Sequence, residues 1–190
     1  MSDHRTPLGG ASRDGRVRVE EMPRRGMITL RGDLSDATFA GTVTALSGTG
    51  MPGQRKVELA DGGLLAWMSP DELLLVMPPE DVAGALDRIA SDLSGQHHLA
   101  AEVTDARAVL RLSGEDAAVR ETLGKLMPVD FAPGAFGPGD IRRTRLAQVP
   151  AAVWCVAPGD FGVICFRSVA EYVYAALTNA AAEGGAVGHY

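Results

Sequence analysis

The chain repeats itself. Phe39, Val43 and Leu46 recur as Val119, Leu123 and Leu126, and Leu30 recurs as Leu110, each pair 80 residues apart. Both triads sit at i, i+4 and i+7, the spacing of one helix face. A pattern written twice in 190 residues calls for one supersecondary unit built twice, because each copy carries the same faces to bury.

Each copy reads as βαβββα. In the first, MITLRG (27–32) is a strand and the 39–46 stripe a helix. KVEL, LLAWMS and ELLLVM follow as short strands, with turns at Asp61-Gly62 and Ser69-Pro70-Asp71-Glu72. Pro79, Glu80 and Asp81 suit the first turn of a second helix, which buries Val82, Leu86, Ile89 and Leu93 and stops at Gly95. In the second copy AVLRLSG leads to a helix with Ser113 and Asp116 in capping positions. IRRTRLA, AAVWCVA and FGVICF come next, then a helix with a Ser168–Glu171 capping box that buries Val169, Tyr172, Val173, Ala176 and Leu177. The fold class expected is α+β: two pseudo-repeated units at about 27–95 and 107–185, mostly antiparallel sheet with helices packed on it.

Pro70 and Pro158, each preset for the second position of a hairpin turn, are 88 residues apart. The second copy therefore holds 8 extra residues, in MPVDFAPGAFGPGD (127–140). Trp67 and Trp154 are 87 apart, a one-residue slip that a β-bulge would absorb. Residues 1–16, rich in Gly, Ser, Arg and Asp, read as a flexible tail before a domain at 17–190. VRVEEM (17–22) reads as an edge strand.

Hydrophobic residues are 46% and charged ones 22%, ordinary for a globular protein. A net charge of -6 argues against a nucleic-acid partner and against binding to an anionic membrane surface. No stretch approaches the ~20 apolar residues of a membrane span, and the N-terminus lacks the apolar core of a secretory signal. The cytoplasm is the expected compartment. If APGD (157–160) is a two-residue turn, Cys155 faces Gly162 rather than Cys165, so two reduced, buried thiols are expected.

No Walker loop, GxSxG or zinc spacing occurs. GTGMPG (48–53) matches GxGxxG but follows a helix and precedes a strand, the reverse of the nucleotide-binding order, and reads as a connecting loop. His97-His98 reads as a solvated loop, and His4 and His189 as tail residues. Asp71-Glu72 fits turn chemistry and Glu20-Glu21 a solvated edge. Arg143 and Arg145 would share a strand face and either hold an anion or pair with acids across the sheet. Trp67 and Trp154 read as core. No catalytic, cofactor-binding or metal-binding residue is assigned. The surplus loop is the exception to this blandness. Its two rings, Phe131 and Phe136, include an expected anchor for another subunit, with Asp130 and Arg142 at the rim. The alternative is that both rings fold back over the chain's own sheet.

The wording of five segments carries a resemblance. TLRGD, AWMSPDELLLV, VTDARAVLRLSG, LMPVDFAPGAFGPGDIRRTRLAQV and CFRSVAEYVYAAL, in that order from residue 17 onward, resemble the gamma subunit family of heterotetrameric sarcosine oxidase. The resemblance implies a fold similar to the folate-binding domain of glycine-cleavage aminomethyltransferase. It implies a complex that oxidises sarcosine to glycine with hydrogen peroxide as co-product, its one-carbon unit passing to tetrahydrofolate or leaving as formaldehyde. It places FAD and covalent FMN with the beta subunit, NAD and folate with alpha, and zinc with delta. None is expected on this chain, whose implied partners are alpha, beta and delta and whose implied role is structural. The alternative is that this chain binds tetrahydrofolate itself, with Asp105 or Asp130 as the pterin carboxylate.

Overall fold

A computed structural model describes residues 5–190; His4 lies outside the described residues. The chain divides into two compact units: Arg24–Thr104, and Asp105–Tyr190 joined by the N-terminal stretch up to Pro23. Ser12–Arg13 (β1) and Val17–Glu21 (β2) come first. The first unit runs Gly26–Arg31 (β3), Ala37–Ser47 (α1), Val57–Ala60 (β4), Gly63–Ser69 (β5), Glu72–Met77 (β6) and Val82–Asp92 (α2), and adds Leu99–Glu102 (β7). The second runs Arg107–Gly114 (β8), Asp116–Gly124 (α3), Ile141–Leu146 (β9), Val149–Ala157 (β10), Asp160–Phe166 (β11) and Ala170–Ala180 (α4). This is βαβββα twice. Each unit owns one antiparallel sheet, ordered β4-β5-β6-β3-β7 in the first and β1-β2-β8-β11-β10-β9 in the second.

Two periodicities make each core. Alternate strand residues Ile28, Leu30, Leu65, Leu73 and Leu75 meet the helical stripe Phe39, Val43, Val82, Ala85 and Ile89. The second unit repeats this with Leu110, Leu112, Val153 and Val163 against Val119, Leu123, Val173 and Leu177. Asp36 caps α1 by accepting from Phe39 N at 2.8 Å, and Gly48 ends it at φ 67°. The capping boxes expected in the second copy do not form. Ser113 stays in β8, and Ser168 lies in a 3-10 turn, Arg167–Val169, ahead of α4. Tyr172 is exposed rather than buried: the inward face of α4 is Ala170, Val173, Leu177 and Thr178, and Tyr172 lies off it.

The Trp slip is not absorbed. Both hairpins carry a bulge at the equivalent place, between Trp67 and Ser69 and between Cys155 and Ala157. Trp67 therefore pairs with Leu73 and Trp154 with Gly162, and the two rings fall on opposite faces of their sheets. Trp67 packs on the helix-covered core. Trp154 lies over Gly162, where any Cβ would overlap the indole. The same bulge sets Cys155 opposite Phe161 instead of Gly162. Both cysteines are free and buried.

The expected flexible tail is docked from residue 5 onward. Glu21, buried in the second unit, accepts from Thr6 Oγ1 at 2.6 Å, Leu8 N at 3.0 Å and Gly10 N at 2.7 Å. Leu8 packs on the core, and β1 pairs with β2, so β2 is interior rather than an edge. Arg16 N donates to Ala181 O at 3.0 Å. Counting apolar residues misses this, because the docking is done by backbone N–H groups on a buried carboxylate.

The rings expected at an interface are core instead. Phe131 and Phe136 are 0% exposed. They meet edge-to-face at 5.3 Å and 73°, and Phe136 stacks on Phe161 at 6.1 Å and 13°. The proline- and glycine-rich loop turns both rings onto Phe161 of the chain's own sheet.

Two outcomes are expected. Removing residues 1–16 strips three donors from Glu21 and opens the β2 edge, so the melting temperature should fall by roughly 5–10 °C, at about 2–4 °C per kcal/mol; coincident melts would restore the free tail. Phe131→Ala or Phe136→Ala should each cost about 3–5 kcal/mol in denaturant titration of the isolated chain, and a loss below ~1 kcal/mol would show that the ring is not part of the core.

Candidate functional site

The surplus loop is organised by an arginine that the sequence did not single out. Asp116 and Arg120 lie one turn apart on α3, and the Arg120 side chain is 3% exposed. Its Nε donates to Asp116 Oδ2 at 2.7 Å. Its Nη1 donates to the carbonyl oxygens of Phe131 at 2.6 Å and Phe136 at 2.7 Å. The guanidinium carbon is 5.3 Å from the Phe161 ring centre. Asp116 Oδ1 accepts from Gly159 N at 2.8 Å, tying the β10–β11 turn to the same centre. A planar fork with several fixed donors suits this task, since it can hold two carbonyls and a carboxylate at once.

Of the four expected interface residues, Phe131 and Phe136 face inward and offer Arg120 only their carbonyls. Arg142 is half-buried, its guanidinium carbon 5.3 Å from the Phe136 ring centre and its Nη1 3.8 Å from Asp140 Oδ1. Asp130 is exposed on the loop and accepts from Ala132 N at 2.9 Å, a local turn bond. The structure brings Phe131, Phe136 and Arg142 together and leaves Asp130 apart on the surface.

A second unforeseen centre lies further along α3. Glu121, its side chain 5% exposed, accepts from Val187 N at 2.6 Å, Gly188 N at 2.9 Å, Arg16 Nη1 at 3.0 Å and Lys125 Nζ at 3.2 Å. The Val187 amide first, helped by Gly188, Arg16 and Lys125, holds its carboxyl down at about 2. Of the two, only Arg120 left a trace in the sequence. Arg120 sits beside the apolar stripe Val119–Leu123, whereas Glu121 falls on the opposite helix face, where periodicity predicts exposure, and it is buried all the same.

The remaining candidates stay local. Asp71 is exposed, bonded to Ser69 Oγ at 2.6 Å and Arg31 Nη2 at 2.6 Å, and these hold its carboxyl below the usual range, Ser69 most strongly. Neither Glu20 nor Glu21 lies on the expected solvated edge: Glu20, on interior strand β2, is half-buried with Arg18 Nε at 3.3 Å and Arg111 Nη1 at 3.7 Å, and Glu21 is buried. Arg143 and Arg145 share a face of edge strand β9 and are exposed. Asp105 is exposed in a 3-10 turn, Thr104–Ala106. His98 Nδ1 is 3.0 Å from Gln96 O, and the His189 ring meets Tyr190 edge-on at 4.8 Å. Burial pushes both thiols up to about 11, which leaves them poor nucleophiles. Among the described residues no group of three or more His, Cys, Asp or Glu could hold a metal ion, and no helix is long and apolar enough to cross a membrane.

A pocket of about 390 Å³ opens in the first unit, between the end of α1, the β4–β5 turn and the start of α2. Ser47, Asp61, Gly63, Met77 and Asp81 are among its walls, and no aromatic residue lines it. It offers carboxylates to a pterin but no ring to stack on one, so it does not fit tetrahydrofolate well.

Known proteins place the chain. A family model described as the sarcosine oxidase gamma subunit family matches residues 31–183. The sarcosine oxidase subunit gamma of an Arthrobacter species is 31% identical over 149 residues, covering 77% of this chain and 71% of that protein. The corresponding protein of Corynebacterium sp. strain P-1 is 29% identical over 179 residues, covering 93% and 85%. In fold, the chain is similar to one in the heterotetrameric sarcosine oxidase from Corynebacterium sp. U-96 in complex with pyrrole 2-carboxylate. That match has a TM-score of 0.83 and 24% identity, and covers 98% of this chain and 99% of the other. The aminomethyltransferase T of the Bartonella henselae glycine cleavage system shares the fold at a TM-score of 0.59 and 10% identity, over 86% of this chain and 45% of that one. With its family model spanning residues 31–183, the chain belongs to the sarcosine oxidase gamma subunit family.

Proposed function

We propose that the chain is the structural, non-catalytic subunit of a heterotetrameric sarcosine oxidase, assembled with alpha, beta and delta subunits in the cytoplasm. Family membership over residues 31–183 is the observation that carries this reading. The chain-long likeness in fold supports it. So does the use of buried charge: Glu21, Arg120 and Glu121 all bind the chain's own main chain, as framework residues do. In this reading the whole complex oxidises sarcosine to glycine, reduces O₂ to hydrogen peroxide, and passes the one-carbon unit to tetrahydrofolate or releases formaldehyde. FAD, FMN, NAD, tetrahydrofolate and zinc belong to the other subunits.

Co-expression with the candidate alpha, beta and delta chains tests the proposal. A stable complex should elute together and consume O₂ on addition of sarcosine, and leaving out this chain should lower the yield of assembled enzyme. The chain by itself should be colourless and release no peroxide from sarcosine. A flavin spectrum or peroxide from the isolated chain would overturn the non-catalytic role, failure to co-elute would overturn the assembly role, and saturable tetrahydrofolate binding to the chain alone would favour a folate-binding domain instead.

A further inference from the structure

We propose that Glu121 and Lys125 form a peptide main-chain binding site, occupied by the chain's own last residues as a detachable strap. The two side chains lie one turn apart on α3, so they project from one face. The carboxylate takes the consecutive N–H groups of Val187 and Gly188. The ammonium takes the opposite kind of group, the carbonyl oxygens of Gly185 and, at 3.3 Å, Ala180. No side chain of residues 183–190 takes part in these four bonds, so the site reads backbone rather than sequence.

One residue of the strap is an exception. Gly188 has φ 71°, a left-handed conformation that a side chain strains, so the path of the strap past Glu121 favours glycine there. The strap has little else to hold it. Val187 is 71% exposed, and Tyr190, itself 38% exposed, rests its ring beside Gly124, 3.6 Å from where a Cβ there would stand. With little apolar burial beneath it, the strap opens as a unit when its polar bonds break. Opening leaves Glu121 with Arg16 and Lys125 but without two backbone donors, and a peptide that restores those donors can take the place of the strap. The ligand class is a short extended peptide whose glycine follows a residue with a free amide N–H.

The test uses the full chain. In wild type, the Val187 and Gly188 amides should exchange with solvent roughly tenfold or more slowly than that of Gly184. Gly188→Ala alters only the strap and should bring both amides to the Gly184 rate without lowering the melting temperature by more than a few degrees. A fluorescent peptide of sequence EGGAVGHY should then bind the Gly188→Ala chain more tightly than wild type. Adding Glu121→Gln should abolish that binding, and so should replacing the peptide's glycine before histidine with alanine. Fast exchange at Val187 and Gly188 in wild type overturns the strap. Equal peptide binding by the wild-type and Gly188→Ala chains, or no loss with the alanine peptide, overturns the site, and neither readout requires the Glu121 variant to fold.

Discussion

A charged side chain taken out of water must find hydrogen-bond partners, and among its described residues the second unit buries three such side chains. Glu21 gathers the chain ahead of β2, Arg120 gathers the surplus loop, and Glu121 gathers Arg16 and the C-terminal residues. In each case at least two of the partners are main-chain groups, which a loop always has and a core rarely leaves free. The segments at 5–16 and 183–190 are ordered in this way without large apolar surfaces, whereas the surplus loop also buries Phe131 and Phe136. Such bonds are short-ranged and directional, so each carboxylate or guanidinium specifies one path for the segment it holds.

The duplication makes the same point by contrast. Residues 80 positions before Arg120 and Glu121 are Ala40 and Gly41, on α1. The first unit has neither the charged pair nor the extra loop, and its helix is capped by Asp36 directly. In the second unit the corresponding Asp116 binds Arg120 and the Gly159 amide instead of capping α3. The 8 added residues and the arginine that holds them therefore occur in the same copy. One plan serves both units, and the second carries additional segments on it.

The buried ionic groups face inward onto backbone, both thiols are suppressed by burial, and the exposed acids Asp71 and Asp130 make local turns.

The sequence by itself determined the repeat, the βαβββα order, the helix stripes and the hairpin turns, because these depend on periods of 3.6 and 2 that each segment carries locally. The resemblance in wording led to the family for the same reason: it is a property of residues in order. Tertiary structure alone decided the face of Trp154, the burial of Phe131 and Phe136, the docking of residues 5–16 and the clasp on the C-terminus. A one-residue offset relative to a bulge reverses which face a strand residue takes, and only the pairing register shows where the bulge falls. Loops and tails settle according to which buried charge lies within reach, and that depends on residues far away: Arg16 and Glu121 are 105 positions apart, and Glu121 and Val187 are 66.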